Sequence, residues 1–265
     1  MKKNIAKEKI KKGIPSIGTW VSSGNPLVCE TLASSGIDWI NIECEHSSID
    51  LGELVHCFRA VEHSEIPVFV RVAGSDPLII KRVVDSGALG IVVPDVKNAE
   101  EAKRAVDACR YPPVGTRGIG ATRPNAIYPD YMKHANEEIC VVIMIEDINA
   151  VNQIDSIMEV EGVDVVFIGP NDLAATLDVP LGMNNKHPKH MEAVKKVLDA
   201  GKRHNIPTGI HCGSPEEVIE RIEQGFLWMP LMSEVALMKV SFAESMKQIN
   251  DRSKSSELKS DGKFY

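Results

Sequence analysis

Eight short apolar runs, rich in β-branched residues, alternate along the chain with longer segments of helical period. This alternation limits the fold more than any other feature. The runs are Ser16–Trp20, Trp39–Glu43, Val68–Val72, Gly90–Pro94, Val141–Glu146, Val163–Gly169, Thr208–His211 and Phe226–Leu231. The segments between them carry helix-start signals. Asn25-Pro26 and Asp76-Pro77 each place a capping side chain before a proline suited to the first helical position. Asn98 with Glu101, and Ser214 with Glu217, have the spacing of capping boxes. A strand–helix unit repeated eight times implies a parallel sheet covered by helices. Eight units in about 230 residues predict a closed (β/α)8 TIM barrel, an α/β fold in one domain over residues 1–249. An open doubly wound sheet is the rival, but neither GxGxxG nor GxxxxGK[ST] occurs. Lys2–Lys12 is expected to form a short helix closing the barrel's base. Tyr111–Tyr131, the longest irregular stretch, is a candidate active-site or interface loop. Residues 250–265 are polar and expected to be a flexible tail.

Composition narrows the function. Thirty basic and 37 acidic residues give a net charge of −7, which speaks against a nucleic-acid face. Aromatic residues, at 5%, leave few platforms for stacking single-stranded bases. No apolar run approaches the roughly 20 residues needed to cross a bilayer. The basic start, Met1 to Ile10, lacks the apolar core of a secretory signal. The cysteines at 29, 44, 57, 109, 140 and 212 are scattered, without a CxxC pair, and read as reduced thiols. The expectation is a soluble cytoplasmic protein that binds neither nucleic acid nor membrane and acts on a small molecule.

In a (β/α)8 barrel the chemistry sits at the carboxyl ends of the strands. Here those ends carry Glu43-Cys-Glu-His46, Arg71, Glu146, Gly169-Pro-Asn-Asp172 and His211. Glu146 ends an apolar strand, where a carboxylate must be paired or bound to a cation. Asp172 follows the next strand. Two such charges 4 Å apart repel by about 4 kcal/mol at an effective dielectric of 20, and a divalent ion such as Mg²⁺ or Mn²⁺ removes that penalty. The plainer alternatives are a salt bridge for Glu146 and a helix cap for Asp172. Arg71 suits a carboxylate or an enolate oxygen, or else pairs structurally with a barrel glutamate. His46 is suited to proton transfer or is structural. Asp85, in the last turn of its helix, opposes the helix dipole and so calls for a specific partner, an imidazole among the candidates. His211 and Cys212 fit pocket lining better than a nucleophile pair. No other histidines have HxxxH or HExxH spacing, and Met144 and Trp228 read as core.

Several of these segments, taken in order, resemble the HpcH/HpaI family of class II pyruvate aldolases over roughly residues 4–245. They are Gly18-Thr-Trp20, Asp38-Trp-Ile-Asn-Ile-Glu-Cys-Glu-His46, Val70-Arg71-Val, Tyr111-Pro-Pro-Val-Gly-Thr-Arg-Gly118, Ile145-Glu146 and Phe167-Ile-Gly-Pro-Asn-Asp-Leu173. The resemblance implies a barrel assembled as a homohexamer, with a C-terminal helix packed on a neighbouring subunit. It implies Glu146 and Asp172 as ligands of a divalent cation (Mg²⁺ or Mn²⁺, with Co²⁺ a further option) and Arg71 as the enolate stabiliser. It implies His46 with Asp85 as a proton-transfer dyad. Trp20 and the turn Gly169, Pro170 and Asn171 would bind substrate, the turn offering backbone N–H groups to the carboxylate of pyruvate. The implied partners are a 2-oxo acid and an aldehyde, joined or separated by aldol chemistry. The chain departs from the family pattern at Glu43, where Asp is usual, at Met144, where Gln is frequent, and at Pro230-Leu-Met-Ser-Glu234 after strand eight. Two alternatives follow: a CoA-ester lyase on the same scaffold, or a catalytically divergent barrel serving binding or assembly.

Overall fold

A computed structural model describes the backbone of residues 1–260 and the side chains of residues 1–252. The strands are β1 (Ser16–Val21), β2 (Trp39–Glu43), β3 (Val68–Arg71), β4 (Gly90–Val93), β5 (Cys140–Ile145), β6 (Val165–Ile168), β7 (Thr208–Ile210) and β8 (Trp228–Ser233). They pair in parallel in chain order, and β8 returns to β1, so the barrel is closed. The expected (β/α)8 architecture is the one found.

The helices are α1 (Ile5–Lys11), α2 (Pro26–Ala33), α3 (Leu51–Ala60), α4 (Pro77–Ser86), α5 (Ala99–Cys109), α6 (Thr122–Ile127), α7 (Tyr131–Glu138), α8 (Ile148–Asn152), α9 (Ile154–Met158), α10 (Pro170–Thr176), α11 (Pro188–His204), α12 (Pro215–Gln224) and α13 (Glu234–Ser260). Asn25 and Asp76 cap α2 and α4 ahead of Pro26 and Pro77, as their spacing predicts. Asn98 and Ser214 cap α5 and α12, but the partner glutamates reach one residue further back. Glu101 accepts from the Lys97 N–H and Glu217 from the Gly213 N–H, so neither pair closes a reciprocal box. That box forms instead between Asp50 and Glu53 at α3.

Two glycines let aromatic side chains fill the barrel. A Cβ at Gly18 would stand 2.2 Å from the Trp39 indole, and one at Gly90 would stand 2.0 Å from the Phe69 ring. Trp39 in turn stacks on Trp228 with centroids 3.9 Å apart and planes 4° from parallel. The interior is therefore packed below the rim, as a barrel of this size requires.

The base is sealed by α1. Asn4 caps it and also bonds the Leu89 and Glu138 carbonyls, while buried Lys7 reaches the Ile139 carbonyl and Asp164. Arg110 joins the same Asp164 at 3.0 Å.

Two expectations need correction. Tyr111–Tyr131 contains α6 and links α5 to β5, which puts it at the strands' amino ends, away from this chain's own rim; the active-site option is corrected and the interface option is not affected. It wraps a buried Arg117, whose guanidinium lies 4.4 Å from the Tyr111 ring and 5.3 Å from the Tyr131 ring. The expected boundary at residue 250 also falls inside a helix, because α13 runs on to Ser260. The rest of the expected tail, residues 261–265, lies outside the described residues.

Candidate active site

The site grows from strand register. Glu43 and Arg71 are paired residues at the ends of β2 and β3, and both side chains point into the barrel. Glu43 is 2% exposed and accepts four hydrogen bonds: from Trp20 Nε1 at 2.7 Å, Arg71 Nε at 2.6 Å, and the Glu45 and His46 N–H groups at 2.7 and 2.9 Å. A buried carboxylate is stable only with this degree of satisfaction. The structural ion pair foreseen as one option for Arg71 is thus formed. The guanidinium also extends onward, with Nη1 3.3 Å from Glu45 and 3.9 Å from the Met144 sulfur.

Glu146 follows β5 and is 8% exposed. Its Oε1 accepts from the Asp95 N–H at 2.8 Å, a direction set by the left-handed backbone of Asp95 (φ 53°). It forms no ion pair among the described residues, which removes the salt-bridge alternative. Burial pushes its carboxyl up to about 7; the charges of Asp172 and Glu45 add to the rise, against the Asp95 N–H and Arg71. Burial also lifts Glu45 above the usual carboxylate range, with Arg71 opposing. Asp172 stands exposed in the first turn of α10, whose cap is Gly169 with no side-chain bond, so its carboxylate is not used as a helix cap. A Cβ at Gly169 would lie 2.8 Å from Glu146 Oε2. The bare glycine thus keeps the space beside that oxygen open.

Among the described residues no group of three or more His, Cys, Asp or Glu side chains is arranged to hold a metal ion. The rim offers a pair, Glu146 and Asp172, with Glu45 close enough to raise the same charge. A hard cation that keeps waters or substrate oxygens needs no more than two protein carboxylates. Burial first, and then the charges of Asp172 and Glu45, disfavour the ionised Glu146; a cation would offset both, so the residues fit one.

A cavity of about 240 Å³ opens at this rim. Trp20, His46, Arg71, Gly169, Pro170, Asn171 and Asp172 all line it, as do Met144, Phe167, Met183 and His211. Two larger cavities, of about 420 and 470 Å³, lie beside α11 at the barrel's base and between α11 and α12. Neither has a convergence of strand-end charges. Asn171 has its side-chain oxygen engaged by the Gly182 N–H at 3.0 Å.

His46 is at the mouth, with Nε2 3.7 Å from Glu45. Asp85 is not its partner within the chain. It accepts from Arg117 Nε and Nη2 at 2.9 and 2.7 Å. The reason is geometric: α4 has ten residues, about 15 Å, and carries Asp85 from the rim to the base. The specific partner that Asp85 called for is a guanidinium.

The hub role of Glu43, and Phe167 and Met183 as lining, were not foreseen. Glu43 had a signal, an acid ending an apolar strand. Met183 lies in the α10–α11 loop and had none.

A closed parallel barrel with acids and an arginine gathered at the strands' carboxyl ends is the build of a (β/α)8-barrel enzyme. The family model described as HpcH/HpaI aldolase/citrate lyase matches residues 16–225, and the chain belongs to that family of aldolases and citrate lyases. It is 34% identical over 232 residues to 2-dehydro-3,6-dideoxy-6-sulfogluconate aldolase of Pseudomonas putida, covering 86% of this chain and 90% of that one. It is 35% identical over 241 residues to 4-hydroxy-2-oxo-heptane-1,7-dioate aldolase of Salmonella dublin, covering 89% and 90%. Among solved structures, an HpcH/HpaI aldolase/citrate lyase family protein from Burkholderia cenocepacia J2315 superposes with a TM-score of 0.88 at 29% identity, covering 93% of this chain and 99% of that one.

Proposed function

We propose that the protein is a divalent-metal-dependent aldolase that forms or cleaves 4-hydroxy-2-oxo acids through the enolate of pyruvate. The observation that carries this reading is the gathering at one rim of Asp172 and Arg71, which line the same cavity, with Glu146, a buried carboxyl without an ion pair among the described residues, beside the cavity-lining Gly169. Glu146 and Asp172 would hold the cation, Mg²⁺ or Mn²⁺. Bound there, it would neutralise the two acids and polarise the keto group of a 2-oxo acid.

The chain's own groups do the rest. Arg71, its plane fixed by Glu43, keeps Nη1 toward the cavity, where negative charge develops on the keto oxygen as the C3–C4 bond breaks in cleavage or, in the forming direction, as a methyl proton passes to His46. The Gly169–Asp172 turn lines the same space; the Gly169 N–H donates to the Ile145 carbonyl at 3.2 Å and Pro170 has none, so Asn171 and Asp172 offer the backbone N–H groups to the substrate carboxylate. His46, at the mouth, takes or returns the proton of the 4-hydroxyl, with Glu45 as its neighbouring acid. Trp20 and Phe167, stacked at 5.5 Å, form the wall that keeps water from the enolate.

The reading extends to assembly. Val235, Met238, Phe242 and Met246 recur along α13 at helical spacing and are 39–68% exposed, the pattern of a face that packs on another subunit. A homohexamer is the assembly the family resemblance implies. Among the described residues no helix is long and apolar enough to cross a membrane. A cytoplasmic site of action fits six cysteines without a disulfide.

The test is exchange of the pyruvate methyl protons in D₂O, followed by NMR with Mg²⁺, with Mn²⁺ and with EDTA. Metal-dependent exchange is expected. Its absence in metal-loaded protein would leave the binding or assembly alternative as the better one.

A further inference from the structure

The mechanism above leaves one ring in the cavity without a task. His211 follows β7 and lies two residues beyond Gly209, so both face the barrel interior. A Cβ at Gly209 would meet the Trp228 carbonyl at 2.2 Å, which leaves His211 as the first side chain of β7 to reach the cavity. Its backbone N–H bonds the Ile168 carbonyl at 3.4 Å, and its ring stands edge-on to Trp20 at 5.4 Å and 73°. The ring is therefore fixed in place.

Among the described residues the His211 ring has no hydrogen-bond partner, and neither of its nitrogens is among the polar atoms sealed from solvent. His190 contrasts with it: its Nε2 is engaged by the Pro170 carbonyl at 3.0 Å. The ring packed against His211 is Trp20, which stacks in turn on Phe167, so the His211 nitrogens are polar groups beside an aromatic wall of the cavity.

We propose that His211 selects the aldehyde partner by exchanging one hydrogen bond with an uncharged hydroxyl on it. The inference rests on the aldolase reading for the identity of the reaction, but on the cavity alone for the preferred group. Burial and the Arg71 charge push the imidazole down to about 4, with Glu43 opposing, so at neutral pH the ring is an uncharged donor and acceptor. Arg71, the one guanidinium at the cavity among the described residues, is already held by Glu43 and Glu45. A neutral imidazole meets a hydroxyl well and does little to balance a second carboxylate.

The test compares three two-carbon aldehydes, glycolaldehyde, acetaldehyde and glyoxylate, as acceptors with pyruvate and the metal-loaded enzyme. The readout is the ratio of kcat/KM between aldehydes in wild type divided by the same ratio in a variant, which cancels intrinsic reactivity. For glycolaldehyde over acetaldehyde, His211→Leu should lower the ratio about tenfold, while His211→Gln, which keeps a donor and an acceptor, should retain most of it. Glyoxylate should track acetaldehyde. A ratio within twofold of wild type in His211→Leu would overturn the assignment, as would glyoxylate losing as much as glycolaldehyde.

An equilibrium titration that needs no turnover tests the same contact. Read on tryptophan fluorescence, 5-hydroxypentanoate should bind about fivefold tighter than pentanoate, and His211→Leu should erase the difference. Equal binding of the two acids to wild type would also overturn it. A hydroxyl preference that depends on His211 in a protein showing no pyruvate exchange would refute the aldolase reading and leave His211 as assigned.

Discussion

The raised carboxyl of Glu146 makes stability an unusual function of pH, and Glu146→Gln isolates it. In the metal-free protein the group moves from an ordinary 4.5 to about 7, because its ionised form is buried and faces Asp172 and Glu45. The folded chain therefore binds this proton more tightly than the unfolded chain. The stabilisation is fully present below pH 4.5 and is lost as pH rises through 7, amounting to about 3 kcal/mol at pH 8. For a chain of this size that is roughly 6–12 °C in Tm. The assay is thermal unfolding in EDTA at pH 5 and pH 8, with the wild-type change compared against that of Glu146→Gln. Groups remote from the rim titrate equally in both proteins, so the difference between the two pH responses reports Glu146 together with its coupling to Asp172 and Glu45. Wild type should lose stability relative to the variant on going to pH 8, and Mn²⁺ at pH 8 should restore it in wild type only. Parallel pH responses would refute the electrostatic reasoning, and equal responses to Mn²⁺ would refute the ligand assignment.

The same carboxyl must lose its proton to accept a cation, so Mn²⁺ affinity measured by equilibrium dialysis should fall up to about tenfold per pH unit below 7 and level off above it. Gly18→Ala places a methyl 2.2 Å from the Trp39 indole; it should cost about 3 kcal/mol or more, or prevent folding, and unchanged denaturation would show that the barrel interior can yield. Phe242→Asp puts a charge on the exposed apolar face of α13 and should shift the protein to a smaller species in light scattering after size exclusion, while an unchanged mass would remove that face from the assembly.

The eight strands were legible because parallel barrel strands are apolar on both faces and short, a pattern few other elements share. Their ends were less so: β6 starts at Val165 rather than Val163, and β8 runs Trp228–Ser233 rather than Phe226–Leu231. The rim was legible for a related reason. A charged residue closing an apolar strand, as Arg71 and Glu146 do, stands out against its neighbours. The partners of those residues were harder to read, since they depend on packing between elements distant in sequence. Asp85 reaches Arg117 across 32 positions, and only the length and direction of α4 show that it descends to the base. Tyr111–Tyr131 misleads for the same reason: its prolines and glycines mark an irregular path without saying at which end of the barrel it lies.

Glu43 joins the fold to the chemistry. A shorter acid at that position would start from the same backbone but stop one methylene, about 1.5 Å, nearer to β2. The existing contacts to Trp20 and Arg71 are 2.7 and 2.6 Å, so Glu43→Asp could keep one of them and not both. Arg71 would then be held by Glu45 alone, and the indole that walls the cavity would be free to turn. Glu43→Gln keeps the length and loses the charge, leaving the guanidinium half-compensated in a buried setting, at a cost of about 3–5 kcal/mol. The two variants separate charge from reach. If the orientation of Arg71 governs enolate formation, Glu43→Asp should slow pyruvate methyl exchange at least as much as Glu43→Gln while destabilising the fold less. Faster exchange in Glu43→Asp than in Glu43→Gln would mean that charge balance, rather than the fixed plane of the guanidinium, is what the strand-two acid supplies.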